Sequence, residues 1–301
     1  MKKTTLILLI MIFLSSCGGN YETGKGKFQI VCTTGMIADA AKNIVGDKAE
    51  VIALMGSGVD PHLYKASQGD VSKLVKADLI LYNGVHLEGK MAEMLHKIGR
   101  KKPVFALGDG IDKTDLRKLS GETYDPHIWF SIKLWKLATE EAYKAIIKTD
   151  SSNSKYYNQN KIKYIHQLDS LENWVKTAIN SIPEKQRILI TAHDAFGYFG
   201  DEYHVKVKGL QGISTVSEFG LKDVTNLVNY IITNNIKAVF VESSVSPKAI
   251  EAVIAGCKSK NHDLKIGGSL YSDAMGEKNS PEGNYIGMFT YNVKQIVNAL
   301  K

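Results

Sequence analysis

Residues 154–182 read SKYYNQNKIKYIHQLDSLENWVKTAINSI, and no glycine or proline interrupts them before Pro183. Apolar side chains in this stretch lie mostly three or four positions apart, which predicts one amphipathic α-helix. With about 28 residues at 1.5 Å each, the helix would be roughly 42 Å long, enough to run along two packed domains. The apolar positions are Tyr157, Ile162, Ile165, Leu168, Leu171, Trp174, Val175, Ala178 and Ile179.

Short β-rich runs alternate with amphipathic segments on both sides of this helix. Before it, the predicted strands are 28–32, 51–54, 79–82 and 104–106, and the predicted helices are 36–45, 71–76 and 87–98. After it, strands are predicted at 188–190, at 238–241 and from 266, with helices at 224–233, 247–258 and 285–300. This alternation predicts an α/β protein with mostly parallel sheets covered on both faces. We expect two lobes, residues 28–152 and 184–301, joined by a linker helix at 153–183.

Residues 1–16 have the pattern of a lipoprotein-type signal peptide. Two lysines precede the nine-residue apolar run LILLIMIFL, which is too short to span a bilayer of about 30 Å. Leu-Ser-Ser then stands directly before Cys17, which resembles a lipobox whose cysteine receives diacylglycerol and becomes the mature N-terminus. We therefore expect residues 17–27 to be a lipidated tether that holds the protein on a membrane outside the cytoplasm. The alternative is a secretory signal cut nearby, with Cys17 incidental.

Composition and charge exclude several classes of protein. Of the 301 residues, 44% are hydrophobic and 23% charged, which excludes global disorder. A mean hydropathy of −0.14 excludes a polytopic membrane protein. The net charge of +7 is spread along the chain, so it favours an anionic surface only slightly and predicts no nucleic-acid partner. Cys32 and Cys257 lie in apolar runs and are predicted to be buried free thiols rather than a disulfide.

Two of the eight histidines occur in the same tripeptide, Asp-Pro-His, at positions 60–62 and 125–127. Chance predicts only about 0.01 copies of it in a chain of this composition. The proline fixes its own φ and holds the preceding residue extended, which aims the imidazole in one direction. The aspartate can cap the turn or accept a ring N–H, and the sequence leaves both open. The alternative is a pair of turns with surface histidines.

Other candidate ligands follow predicted strands. His193 lies in TAHDAFGYF directly after strand 188–190, and Asp273 lies in GGSLYSD after the last strand. His62 follows strand 51–54 by a short loop. Open α/β sheets bind ligands at the carboxyl ends of their strands, and three imidazoles with one carboxylate suit zinc, manganese or another first-row divalent ion. The candidate metal ligands are His62, His127, His193 and Asp273.

These motifs resemble those of the TroA-like zinc- and manganese-binding lipoproteins of bacterial ABC importers, which are solute-binding protein family 9. The resemblance covers essentially the whole mature chain, with the motifs in one order. It implies two (β/α) lobes joined by a long rigid helix, with the metal held in the cleft between them. The matching stretches are 58–62, 81–84 with 87–88, 125–129, 191–199, 209–214, 242–248 and 270–273.

The resemblance also implies a function. The family's ligands fall on the same four residues, and the loop of Glu242 lies beside the site, although a salt-bridged surface position is the alternative for Glu242. We expect Zn²⁺ or Mn²⁺ to be the transported ligand, the permease of an ABC importer to be the partner, and the protein to be a monomer. A surface adhesin or interaction lipoprotein with a structural metal is the alternative function.

Two differences between this chain and the family pattern leave the identity of the metal open. Zinc-dedicated members often carry a histidine-rich loop in the first lobe, but residues 113–124 contain no histidine. Manganese-dedicated members commonly have a glutamate where this chain has His193. His86 is expected at the rim of the cleft rather than as a ligand. The remaining histidines, predicted to be solvated, are His96, His166, His204 and His262.

An enzyme is disfavoured. A hydrolytic zinc site keeps one coordination position open for water, whereas Asp273 adds a fourth protein ligand here. The sequence contains no His-Glu-x-x-His motif, no serine nucleophile elbow and no phosphate-binding glycine loop after a strand. We therefore predict a binding protein without catalytic residues.

Overall fold

The computed structural model describes residues 27–119 and 121–301. The predicted signal peptide, the lipidation site Cys17 and most of the tether lie outside the described residues. The described chain is an α/β protein whose sheets are all parallel, as predicted. Within it, no helix combines the length and the apolar content that crossing a membrane requires.

The N-terminal half contains one four-stranded parallel sheet in the order β2-β1-β3-β4. Ile30 of the first strand stands opposite Val51 on one side and Leu79 on the other, so this strand is central. Its residues Ile30, Val31 and Cys32 are fully buried, as expected for a parallel strand covered on both faces. The strands are β1 (Phe28–Cys32), β2 (Ala49–Ala53), β3 (Leu79–Tyr82) and β4 (Val104–Ala106), and the helices are α1 (Gly35–Val45), α2 (Gln68–Lys76) and α3 (Ala92–Gly99).

Two helices follow the first sheet along the sequence, α4 (Ile132–Thr149) and α5 (Ser154–Asn180). Helix α5 is the predicted long helix, and its 27 residues span about 40 Å. It packs against α1, against α4 and against the last helix of the chain, Tyr285–Leu300, so it contacts elements from both halves. Two of its apolar positions lie outside the buried face, because Ile162 is 45% and Trp174 is 37% exposed. Helix α4 was not predicted.

The C-terminal half contains two parallel pairs, β5 with β6 and β7 with β8, and β5 also contacts β7. Two of its elements, β6 and α6, were not predicted. Strand β5 continues to His193, three residues beyond the predicted end, because His193 still pairs with Gln211. The strands are β5 (Ile188–His193), β6 (Lys206–Gln211), β7 (Ala238–Glu242) and β8 (Lys265–Leu270), and the helices are α6 (Gly197–Tyr203), α7 (Leu221–Thr233), α8 (Lys248–Ser259) and α9 (Tyr285–Leu300).

Helix α3 begins at Ala92, five residues later than predicted. Gly84, Val85 and His86 all have positive φ angles, of 75°, 51° and 64°. A β-branched valine rarely adopts this left-handed conformation, so the segment is a strained turn rather than the start of a helix. Strands β1, β3 and β4 and helix α9 have the predicted bounds, and β2 begins two residues before its predicted start.

One hydrophobic cluster includes buried residues of the first sheet, of α4 and α5, and of α9. Within it, Trp135 of α4 stacks on Tyr285 of α9, with ring centroids 5.2 Å apart. The Tyr285 hydroxyl donates to the carbonyl of Trp129, and the Trp129 indole N–H donates to the carbonyl of Ser272, at 2.7 and 2.9 Å. This shared core fixes the segment around Trp129 against the segment that follows β8. Cys32 and Cys257 are buried free thiols, as predicted.

Candidate metal centre

Four side chains from separate segments meet at one buried point, and each offers one potential ligand atom. These atoms all lie within 4.8 Å of one another. The distances between neighbouring atoms are 3.3 Å for His62 Nε2 to His127 Nε2, 3.5 Å for His127 Nε2 to Asp273 Oδ1, and 3.3 Å for His193 Nε2 to Asp273 Oδ2. The structure therefore brings together all four residues that the sequence marked as candidate ligands.

Each of the four residues lies at or just beyond the end of a strand or at the start of a helical turn. His62 is on the loop after β2, and His127 directly precedes the short 3₁₀ turn Ile128–Phe130. His193 ends β5, and Asp273 follows β8 by three residues. Gly209 of β6 makes room for this end of β5, since a Cβ there would lie 2.4 Å from the backbone nitrogen of Asp194.

A buried aspartate holds the ring of His127. Asp125 Oδ1 lies 2.7 Å from His127 Nδ1 and also accepts the backbone N–H of His127 at 3.0 Å. A carboxylate accepts hydrogen bonds, so Nδ1 carries the proton and Nε2 turns toward the other ligands. Burial lowers the pKa of His127, but the charges of Asp125 and Asp273 outweigh burial and raise the pKa to about 9.

Glu242, the last residue of β7, holds His193 in the same way. Its Oε2 lies 2.5 Å from His193 Nδ1, and its Oε1 accepts the backbone N–H of His193 at 2.9 Å. Burial again lowers the pKa of His193, but the carboxylates of Glu242 and Asp273 raise it well above 6.5. The contact places Glu242 directly behind one candidate ligand rather than at the surface.

His62 is held differently, although it belongs to the same Asp-Pro-His tripeptide as His127. Asp60 Oδ1 accepts the backbone N–H of His62 at 2.8 Å, and Asp60 Oδ2 accepts the hydroxyl of Thr215 at 2.6 Å. Across the described residues, no carboxylate accepts a hydrogen bond from the ring of His62. Burial is the main reason why the pKa of His62 falls to about 4.

The chemistry of this donor set fits a divalent cation. In the part of the chain that the structure describes, both carboxylate oxygens of Asp273 and Nε2 of His193 are buried without a hydrogen-bond partner. Such groups are costly to bury unless something satisfies them. Burial raises the pKa of Asp273, but His193 and His127 lower it well below 3.8, so the carboxylate is charged. Nitrogen and oxygen donors aimed at one point are the ligands that zinc and manganese accept.

The remaining histidines lie outside this group. His86, His96, His166 and His204 are exposed, as predicted. His262 is partly buried, and its Nε2 lies 2.6 Å from the carbonyl of Ile236, so the prediction that it is solvated was wrong.

Sequence reasoning missed two supporting residues. Arg117 Nη1 lies 3.4 Å from Asp125 Oδ2, and its Nε lies 3.2 Å from Asp201. Thr215 reaches Asp60 from 155 residues along the chain. Neither residue lies in a motif that suggests metal chemistry, and only the folded chain brings each of them to an aspartate of an Asp-Pro-His tripeptide.

Known proteins resemble this chain over nearly its whole length. The manganese-binding lipoprotein MntA of Bacillus subtilis is 50% identical over 299 residues, which cover 98% of this chain and 97% of MntA. The zinc-binding protein TroA of Treponema pallidum is 42% identical over 288 residues, or 96% of this chain and 94% of TroA.

Solved structures agree with the sequence relatives. The periplasmic zinc-binding protein TroA of Treponema pallidum superposes with a TM-score of 0.90 at 44% identity, covering 91% of this chain and 99% of the other. Fe(III)-bound YtgA of Chlamydia trachomatis gives a TM-score of 0.81 at 27% identity, covering 91% and 98%. The model of the ZnuA family, described as zinc-uptake complex component A, periplasmic, matches residues 30–299. The resemblance drawn from the motifs is thereby confirmed, and the chain belongs to the ZnuA family.

Proposed function

We propose that this protein captures Zn²⁺ or Mn²⁺ outside the cytoplasm and delivers the ion to the permease of a metal ABC importer. The observation that carries this proposal is the buried group of four ligand side chains, in which His193 Nε2 and both oxygens of Asp273 have no hydrogen-bond partner among the described residues. Membership of a family of uptake-complex components supports a permease as the partner. The ion is the cargo and not a permanent part of the protein.

Each ligand has a defined part in this proposal. His62, His127 and His193 each contribute a neutral Nε2, and Asp273 contributes one or both oxygens. Three neutral imidazoles, one carboxylate and a divalent ion together carry a net charge of about +1. Glu242 lies directly behind His193, and its negative charge offsets this net charge. A carboxylate behind a ligating imidazole also makes the imidazole a stronger donor. Asp125 acts likewise on His127, but it shares its second oxygen with Arg117.

Binding without catalysis is consistent with the number of ligands. Four protein ligands leave a tetrahedral ion no open position at which to activate water. The chain belongs to a family of uptake components and is not an enzyme. The family supports transport over the adhesin alternative, because its members are described as a component of an uptake complex.

The relatives and the N-terminal sequence support a location outside the cytoplasm. MntA is named a lipoprotein, and TroA is described as periplasmic. We assign the lipid anchor to Cys17 and the membrane contact to this anchor, with no nucleic-acid partner and with a monomer as the working unit. The proposed domains are lobes at 28–152 and 184–301 with a linker at 153–183, consistent with α5 contacting both halves.

Two measurements test the proposal. Elemental analysis of protein purified from its native host without added metal identifies the cargo, and the proposal requires close to one zinc or manganese ion per chain. Thermal unfolding of metal-free protein with added ZnCl₂ tests the site, since an ion that binds only the folded state raises the melting temperature. An adhesin without this site predicts no such rise, and that result would refute the proposal.

A further inference from the structure

The loop that carries His62 is hydrogen-bonded to the C-terminal half through Asp60. Asp60 Oδ2 accepts the hydroxyl of Thr215, which lies on the segment between β6 and α7. Gly58, with φ +70°, lies near Ser243, since a Cβ added to Gly58 would be in ordinary van der Waals contact with the Ser243 carbonyl oxygen, at 3.4 Å. The position of His62 therefore depends on a polar contact between segments that are far apart in sequence.

The support of His62 differs from that of the other two histidines. His127 and His193 are each fixed through the ring by a buried carboxylate. His62 is fixed through its backbone N–H, which Asp60 Oδ1 accepts at 2.8 Å. Because Asp60 uses its other oxygen for Thr215, the hydroxyl of Thr215 restrains the carboxylate that sets the turn of His62.

We propose that Thr215 is a positioning residue for His62, acting through Asp60, and that their contact slows the release of the metal. This inference rests on the proposed function, because it concerns release of the bound ion. Breaking the contact removes the restraint on one ligand of four and leaves the rings of His127 and His193 held by their own carboxylates. Loss of the Thr215–Asp60 contact therefore speeds dissociation of the metal.

The residues next to this contact are exposed on the protein surface. Thr215 itself is only 9% exposed, whereas its neighbour Val216 is 49% exposed. Leu63, which follows His62, is also 49% exposed.

The test measures zinc dissociation in a stopped-flow instrument, with a fluorescent chelator in excess over zinc-loaded protein. We expect Thr215→Val, which keeps the shape but removes the hydroxyl, to raise the dissociation rate about tenfold or more, because it removes a hydrogen bond to a charged acceptor. Thr215→Ser should stay within about twofold of the parent because it keeps that bond. Thr225→Val is the matched control, since its hydroxyl donates to the carbonyl of Leu221 within α7.

A double-substitution cycle gives a readout that loss of packing alone would not move. In an Asp60→Ala background, Thr215→Val should change the dissociation rate by less than about twofold, because the shared contact is already gone. The inference is overturned if Thr215→Val has equal effects in both backgrounds, or if Thr215→Val alone releases zinc at the rate of the parent. It is also overturned if Thr225→Val accelerates release to a similar extent. A parent that binds no zinc would instead overturn the proposed function, so the two failures are distinguishable.

Discussion

Glu242 contacts His193 twice, with one carboxylate oxygen on the backbone N–H at 2.9 Å and the other on ring Nδ1 at 2.5 Å. The two residues end β7 and β5, strands that contact each other, so the sheet itself fixes their separation. A ligand that is placed by a strand end and locked by a carboxylate needs little rearrangement to bind an ion. This arrangement makes His193 one of the two most rigidly held ligands.

Glu242→Gln should weaken zinc binding by about 10- to 100-fold while the protein stays folded. The amide keeps a side chain of the same size but lacks the charge that makes His193 a strong donor. Isothermal titration calorimetry of parent and variant measures the effect. Glu184→Gln, a substitution at an exposed position ahead of β5, serves as the control and should leave the affinity unchanged. Parent-like affinity of Glu242→Gln would contradict the role assigned to Glu242.

His127→Ala should reduce zinc affinity by more than about a hundredfold, because removal of a ligand costs more than removal of its supporting carboxylate. Calorimetry measures the affinity, and circular dichroism of the metal-free variant checks that it remains folded. His166→Ala, on the exposed side of α5, is the control. If His127→Ala bound zinc as tightly as the parent, the ligand assignment would be wrong.

Metal binding should release protons, and its affinity should fall as the pH falls. The pKa of metal-free His127 is raised to about 9 and that of His193 lies well above 6.5, so both rings hold an extra proton at pH 7. The pKa of His62 is about 4, so His62 is already neutral and releases none. Because the ion requires neutral imidazoles, His127 and His193 release protons when the ion binds.

Calorimetry in buffers with different ionisation enthalpies counts these protons. We expect affinity to decline throughout the range below the raised pKa values and binding to fail below about pH 5–6. Zinc affinity that stayed constant between pH 8 and pH 6 would contradict this linkage.

Cys17→Ser should abolish lipid labelling and either release the protein from the membrane or leave an uncleaved precursor there. Diacylglycerol supplies two acyl chains, and two chains anchor a protein stably whereas one binds reversibly. Metabolic labelling with a radioactive fatty acid, followed by membrane fractionation, tests both expectations. If a wash without detergent removed the parent protein from membranes, Cys17 would not be an anchor.

The regular elements could be predicted where the apolar pattern is strong. Strand β3 is a continuous apolar run, and apolar residues recur at helical spacing along the whole of α5. Strand β6 reads KVKGLQ. Its two lysines and its glycine interrupt the apolar pattern from which a strand is predicted. The exposure of Ile162 and Trp174 could not be predicted either, because the apolar stripe is wider than the face of α5 that other elements cover.

The four candidate ligands could be predicted, but the residues that support them could be predicted only in part. A repeated tripeptide and the residues that follow strands were enough to identify the four side chains. The same tripeptide nevertheless makes different contacts, because Asp125 bonds the ring of His127 whereas Asp60 bonds Thr215. That difference depends on which residues approach each aspartate in the folded chain, and spacing along a single sequence contains no information about it.

Zinc should bind more tightly than manganese in vitro, with both ions bound well enough to be carried. The Irving–Williams order places zinc well above manganese at nitrogen-rich sites, and three of the four ligands here are imidazoles. Asp273 acts in the opposite direction, because its two free oxygens suit manganese and permit a fifth bond. His193→Glu should therefore shift the preference toward manganese, since it replaces a nitrogen donor with a hard oxygen. Competition titration at pH 7, with both ions at equal concentration, measures the preference in parent and variant. If manganese displaced zinc from the parent, the oxygens of Asp273 would outweigh the three imidazoles, and the protein would be a dedicated manganese carrier.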